Sequence, residues 1–341
     1  MSDSTTFFEF VGRDTVFRIL LGFLFAGIFI LILAGWAGLQ RVTRVVIQSN
    51  PKMVATGFLS STVCLFCWAK AWHVVLRGAN VDIRYRNIVI TYLAATFANY
   101  ITPLGQAGGE PFIAYVLSRD TESSYEDSLA SVVTADLLNL IPFFFFLFGA
   151  GSVLLIQATL PDPLVSVVRY ILVYTLLSPI FFAALWRYRS KVGKIVLQAI
   201  TPLARRTRFI TIDGVKRRMQ DLNEAAKRVT SDPRILVHAG AFSIIGWVFF
   251  ALPLYFAGLA VDLPLSLIVV FFVVPLSTLA GLTPSPGGLG GVEAAVAGLL
   301  AVLLSLSAAD AVGVALLYRL LSYWFPLFLG GIAAILVVTR N

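Results

Sequence analysis

Thr283-Pro284-Ser285-Pro286-Gly287-Gly288-Leu289-Gly290-Gly291-Val292-Glu293 interrupts an apolar run that begins near Leu265 and continues past Leu304. Two prolines and four glycines do not fit the middle of a continuous membrane helix. Proline removes a backbone donor and crowds the preceding turn, and glycine favours unwound backbone. Within a bilayer such a break persists only where protein or a wet cavity surrounds it. Glu293 closes the stretch, and an ionisable group at membrane depth marks a functional site by default.

The pattern occurs earlier as Thr102-Pro103-Leu104-Gly105-Gln106-Ala107-Gly108-Gly109-Glu110. Glu110 stands seven residues after Pro103, and Glu293 seven after Pro286. Gly105 and Gly288 stand two places after their prolines, and Gly108 and Gly291 five places after. Paired Gly/Pro-broken apolar segments in corresponding halves of a chain point to a transporter-type site built on an internal repeat.

The repeated P-x-G-x-[AG]-G-x-E pattern, in an apolar chain of this length, resembles the lysylphosphatidylglycerol synthase transmembrane-domain family, also called flippase-like. The resemblance covers nearly the whole chain. It implies a polytopic membrane protein that moves a modified phospholipid between leaflets. Other members resemble proteins of polyprenyl-phosphate sugar chemistry. The resemblance points to Glu110 and Glu293. The family pattern also carries an Arg in the first repeat where this chain has Asp136.

Composition agrees with a membrane protein. Of 341 residues, 58% are hydrophobic and 13% charged, against about 25% charged in soluble domains. The net charge of +8 fits cytoplasmic loops and attraction to anionic membrane lipids. Nucleic acid is a poor partner, because no basic stripe accompanies a reader motif. Cys64 and Cys67 lie one helical turn apart in an apolar segment, without ligand partners at metal-site spacing. They read as packing residues; no metal or cofactor is expected.

Thirteen of the 26 Lys and Arg fall between Trp186 and Arg234, which places that loop in the cytoplasm. Val215, Met219, Leu222, Ala226 and Val229 recur there at helical spacing among basic residues. The loop is a basic amphipathic helix on an anionic surface or a solvated connector. The loop at 157–165 has no Lys or Arg and is expected outside, as is the loop around Asp262.

Working outward, spans are expected at 16–38, 53–76, 128–156, 164–186, 235–259 and 311–338. Trp72, Lys70 and Arg77 mark the inner end of the second span. Arg41, Arg44 and Lys52 then lie in an outside loop, against the charge rule. Segments 87–118 and 264–307 must each begin and end on one side, so each reads as a re-entrant hairpin broken at its glycine tip. Arms of about 14–18 residues fall short of the ~20 needed to cross. The expected architecture is all-α: a single multi-pass domain in the cell membrane, both termini cytoplasmic. Repeat 1 covers 53–156, the basic loop 187–234, and repeat 2 covers 235–338 in inverted orientation.

The candidate substrate-binding residues are Gly105, Gly108, Gly109 and Glu110 in one tip, Gly287, Gly288, Gly290, Gly291 and Glu293 in the other, and Asp136, Arg319 and Tyr323 beyond the tips. Backbone N–H groups at the tips and the helix that follows suit a lipid phosphate. Each Glu could instead satisfy those N–H groups structurally. Asp136 and Arg319 each stand 26 residues after their motif glutamate, and are expected at similar depth. Arg319 should pair with Asp136 or with a motif glutamate. Tyr323, Tyr318, Tyr115 and Asn139 are cavity-lining candidates, whereas His73 and His238 read as interfacial or packed.

Three functions suit this pattern: translocation of a phospholipid or polyprenyl-phosphate lipid, an enzyme or enzyme subunit acting on a lipid phosphate, and a scaffold for other membrane enzymes; a lipid-modifying enzyme is the partner that the first of these implies.

Overall fold

The computed structural model describes residues 13–79, 81, 83–102, 114, 116–118, 125–157, 162–188 and 232–339. The described elements are all helices: α1 (Arg13–Trp36), α2 (Leu39–Ile47), α3 (Pro51–Gly78), α4 (Tyr85–Ile101), α5 (Tyr125–Gln157), α6 (Asp162–Arg187), α7 (Pro233–Ala260), α8 (Leu267–Thr278), α9 (Gly291–Leu304), α10 (Ala308–Arg319) and α11 (Phe325–Thr339). A 3-10 turn, Leu279–Leu282, extends α8, and a π-helical turn, Leu320–Trp324, joins α10 to α11. Residues 189–231, which hold most of the basic loop, and residues 103–113, which hold the first glycine motif, lie outside the described residues.

By length and composition, four continuous helical stretches among the described residues can cross a membrane: Pro51–Gly78, Ser131–Gln157, Pro233–Ala260 and Ala308–Val337. A fifth candidate is Leu20–Trp36, which meets Leu39–Ile47 at a bend of 100°. Around the bundle, Leu24, Phe25, Leu31 and Ile32 of α1 and Phe328 and Ile335 of α11 are exposed. In a membrane protein such surfaces face hydrocarbon.

The helices α3 and α7 form the centre. They start alike: Asn50 and Asp232 cap them by accepting from the N–H of Lys52 and Arg234, each with proline in the first turn. Proline is suited to that position, because its missing N–H would have no partner there. The two run antiparallel. The N–H of Asn50, before α3, donates to the carbonyl of Ala260 at the end of α7 (2.7 Å). At the other end Gly78 leaves room for Ile235. Between these points Ser60 Oγ donates to Phe249 O at 2.8 Å, and Gly246 accommodates the Trp68 indole. Small residues at such contacts let backbones approach, which supplies the van der Waals energy that holds membrane helices together.

The segment 39–47, expected as an outside loop, is helical and amphipathic. Val42 is buried, Val45 packs on Gly313 of α10, and Arg41 and Arg44 are exposed. Its basic residues therefore occupy the outer face of a helix bent away from α1. Trp72, read as an interfacial anchor, is 4% exposed and belongs to the core. His73 is buried, with Nε2 3.1 Å from Ile83 O. Cys64 is buried, Cys67 is partly buried, and both are free thiols.

The π-helical turn was not anticipated. Its wider pitch releases backbone carbonyls from the helical ladder, and in an apolar surrounding each needs another donor. Ser61 Oγ of α3 donates to Leu321 O at 2.8 Å, and Tyr100 Oη of α4 donates to Ser322 O at 3.3 Å. Replacing Ser61 with Ala is expected to destabilise the protein by about 1–3 kcal/mol, the cost of an orphaned buried acceptor. Thermal unfolding in detergent measures it, and an unchanged melting temperature would show that water serves the carbonyl.

Candidate functional site

The second glycine motif sits between α8 and α9. The two helices pack against each other, and three residues, 305–307, join α9 to α10. Ser307 caps α10 by accepting from Asp310 N at 3.2 Å. The chain thus doubles back, and Glu293 lies as many residues before the end of α9 as Arg319 lies after the start of α10. This antiparallel count brings the two side chains to one height.

They form a buried ion pair. Arg319 Nε donates to Glu293 Oε1 at 3.0 Å. Glu293 is 0% exposed and Arg319 7%. The other carboxylate oxygen, Oε2, accepts from Gly290 N at 2.7 Å. Arg319 Nη2 donates to Gly287 O at 2.8 Å, and the guanidinium lies 4.4 Å from the Tyr323 ring centroid. One charge pair therefore ties the glycine loop, the start of α9 and the π-helical turn together. Of the carboxylates the sequence left open for Arg319, namely Asp136 and the two motif glutamates, the structure pairs it with Glu293.

Glycine is required where the loop turns. Gly287, Gly288 and Gly290 have φ of 55°, 66° and 85°, the left-handed region that costs other residues steric energy. A Cβ on Gly287 would lie 2.0 Å from the Tyr323 ring, and one on Gly288 2.5 Å from the Gly281 backbone. A Cβ on Gly291 would meet Thr283 Oγ1 at 2.4 Å. Ser285 Oγ donates to Leu289 O at 2.8 Å, closing the loop. The helix α1 covers it: Gly22 fits against Pro286, and Phe29 against Gly290.

Tyr323 is 0% exposed. Its ring stacks on Tyr100 at 4.9 Å between centroids, and its hydroxyl donates to Tyr100 O at 3.1 Å. This pair joins the end of α4 to the π-helical turn. Tyr318 is 2% exposed and belongs to the core. Gly105, Gly108, Gly109, Glu110 and Tyr115 lie outside the described residues.

Asp136 lies elsewhere. The Trp72 indole N–H donates to its Oδ1 at 3.1 Å. It lines a cavity of about 270 Å³ with Asn139, Asn99, Trp68, Trp72, Tyr92 and Trp247. Asn139 O accepts from Trp247 Nε1 at 3.0 Å, and its side-chain oxygen accepts from Ser243 Oγ. The equal offsets of Asp136 and Arg319 thus lead to different surroundings. The sequence reading missed this aromatic wall. Trp68 and Trp72, four apart and so on one face of α3, were the available signal.

These features define a multi-pass helical membrane protein with a buried ion pair on a glycine-broken loop. Residues 19–330 match the lysylphosphatidylglycerol synthase TM region family, and the chain belongs to that family. It is similar to a UPF0104 membrane protein of Pyrococcus horikoshii, 27% identical over 317 residues, which cover 89% of this chain and 92% of that one. A UPF0104 membrane protein of Methanothermobacter thermautotrophicus is 24% identical over 344 residues, covering 98% and 97% of the two chains. One of Methanocaldococcus jannaschii is 25% identical, covering 91% and 92%.

Proposed function

We propose that the protein translocates a phosphate-containing lipid, a phospholipid or a polyprenyl-phosphate lipid, between the leaflets of the cell membrane. The observation that carries this reading is the Arg319–Glu293 pair on the glycine loop. A guanidinium at membrane depth is costly, and such residues mark substrate paths. Here it stands beside the N-terminus of α9, where backbone N–H groups and the helix dipole favour an anion. Glu293 occupies that position as an internal anion. A lipid phosphate offers the same chemistry, with more acceptor oxygens for the guanidinium fork. In the translocation cycle the phosphate displaces Glu293 from Arg319. The displaced carboxylate keeps its bond from Gly290 N.

The repeat supports the reading. The segments α3–α4–α5 and α7–α8/α9–α10/α11 share capped starts, a glycine motif and a long final helix. We read them as inverted repeats, each with a re-entrant hairpin. The 12 residues of α8 and 14 of α9 reach about 18–21 Å at 1.5 Å per residue, short of a ~30 Å hydrocarbon core. Both termini and the basic loop at 187–234 are then cytoplasmic, and the loop binds anionic lipid. A lipid-modifying enzyme as partner would supply or consume the cargo.

Liposomes containing the protein and a headgroup-labelled phospholipid test this directly. The labelled lipid should become accessible to a membrane-impermeant quencher faster than in empty liposomes, without chemical change. Glu293→Gln and Arg319→Lys should each slow exchange by about 10-fold or more, since lysine lacks the guanidinium fork. Equal exchange rates in all these liposomes would refute translocation through this site. A cysteine at Ser285, in a background lacking Cys64 and Cys67, tests the hairpin. It should resist impermeant thiol reagents from the cytoplasmic side; ready labelling there would place the tip outside the membrane.

A further inference from the structure

We propose that α2 is an in-plane helix that binds the phosphate groups of anionic lipids, in the leaflet at the Asn50–Ala260 end of the bundle. The chain bends by 100° between α1 and α2. Gly38 makes that bend at a φ of 94°, in the left-handed region that glycine enters without a side-chain clash. The helix α1 is an apolar candidate span, so a helix bent this far from it runs along the membrane surface. The N–H of Asn50, just beyond α2, meets Ala260 O at the end of α7. That surface is therefore opposite the one at which Pro233 and Arg234 start α7.

Three stripes divide α2. Val42 and Val46 join the core, and Val45 packs on Gly313 of α10. Leu39, Thr43 and Ile47, four residues apart, share a second side. All three are exposed, Leu39 at 50% and Ile47 at 76%. Arg41, Arg44 and Gln48, three or four residues apart, share a third side and are also exposed. At 3.6 residues per turn the two exposed stripes lie on opposite flanks of the buried one. Packing against α10 uses only the valines and leaves the apolar stripe uncovered. A helix in the membrane interface uses both flanks, one in the acyl chains and one among the headgroups. Trp36, just before the bend, is 78% exposed, and tryptophan is enriched at that level of the membrane.

The charge selects the lipid. Arg41 and Arg44 are neighbours on one helix face, and Lys52, at the start of α3, is exposed close by in the chain. Among the described residues none of the three has an ion-pair partner. The acids nearest in the fold are Asp262, just past the end of α7, and Asp310, in the first turn of α10. Asp310 already accepts from Ser307 Oγ at 2.6 Å. Basic groups beside a stripe that enters the acyl chains stand at the level of the lipid phosphates. Each adds to the attraction for an anionic leaflet, and a guanidinium fork bonds two phosphate oxygens at once. The two exposed stripes together match the layered chemistry of a membrane surface, apolar beneath and anionic above. This surface is apart from the Arg319–Glu293 pair, and the inference does not depend on translocation.

A local probe on the full-length protein provides the test. Gln48→Cys, in a background lacking Cys64 and Cys67, carries an environment-sensitive fluorophore one helical turn from Arg44. In an uncharged detergent, phosphatidic acid should give a saturable spectral shift, and phosphatidylcholine of the same chain length none. Arg41→Gln with Arg44→Gln should weaken the response by about 10-fold or more. Arg44→Gln alone should weaken it by a smaller factor, and serves if the double variant does not fold. Arg84→Gln with Arg86→Gln, exposed at the other end of the bundle, should leave it unchanged. In liposomes a fluorophore at Ile47→Cys should be quenched by nitroxides on the acyl chains and shielded from acrylamide, and one at Gln48→Cys should show the reverse. A response unchanged in the folded double variant, or in Arg44→Gln where that variant must serve, would overturn the proposal. So would one weakened as much by the Arg84 and Arg86 changes, an equal response to phosphatidylcholine or to inorganic phosphate, the absence of any saturable response, or equal acrylamide access at the two positions.

Discussion

Arg319→Leu is expected to be the most damaging single change in the protein, costing about 3–5 kcal/mol of stability. The magnitude follows from what remains. Glu293, at 0% exposure, would keep the N–H of Gly290 but lose its cation, and Gly287 O would lose its donor. The carboxylate must then be buried unpaired or take up a proton. Adding Glu293→Gln removes the orphan charge, so the double variant should be more stable than Arg319→Leu alone. Thermal unfolding of the four chains in one detergent closes the cycle. A double variant no more stable than the single one would mean that the pair contributes little. Both should be inactive in lipid exchange, which separates the role of the pair in function from its role in stability.

Gly287→Ala should have the second largest effect, and mainly on activity. Its φ of 55° already disfavours a side chain, at about 1–2 kcal/mol. The added methyl would lie 2.0 Å from the Tyr323 ring, which is itself buried between Tyr100 and Trp324. The loop must move, and with it the carbonyl that holds Arg319 Nη2. Overpacking of this kind costs about 1–3 kcal/mol further. Lipid exchange should fall by about 10-fold or more, since misplacement of the carbonyl displaces the guanidinium. Gly298→Ala is the control: it has open space around it, and alanine favours helix by up to about 1 kcal/mol. Comparable losses in both variants would show that the glycine loop is not specifically constrained.

Much of this was legible in the chain itself, for identifiable reasons. Runs of apolar residues between Met53 and Leu76, or Ile235 and Leu259, can satisfy backbone groups in a membrane only as helices. The two prolines and four glycines before Glu293 had to interrupt one. Arg319 and Glu293 each needed a partner because neither charge can be buried alone, and so the sequence restricted Arg319 to Asp136 or one of the two motif glutamates.

Tertiary structure decided between them. Which carboxylate reaches Arg319 depends on the height of α9 beside α10, set by the three-residue turn at 305–307 and by Gly287 fitting under Tyr323. The π-helical turn was invisible because its released carbonyls are served by Ser61 and Tyr100, from helices more than 200 residues away in sequence. The bend at Gly38 turned a loop into a helix, because the apolar face of Leu39–Ile47 has α10 to lie against. Trp72 illustrates the same limit. A tryptophan near a helix end has the same composition whether it anchors at an interface or turns inward, and only the packing of α5 against α3, with Asp136 at bonding distance, directs it into the cavity.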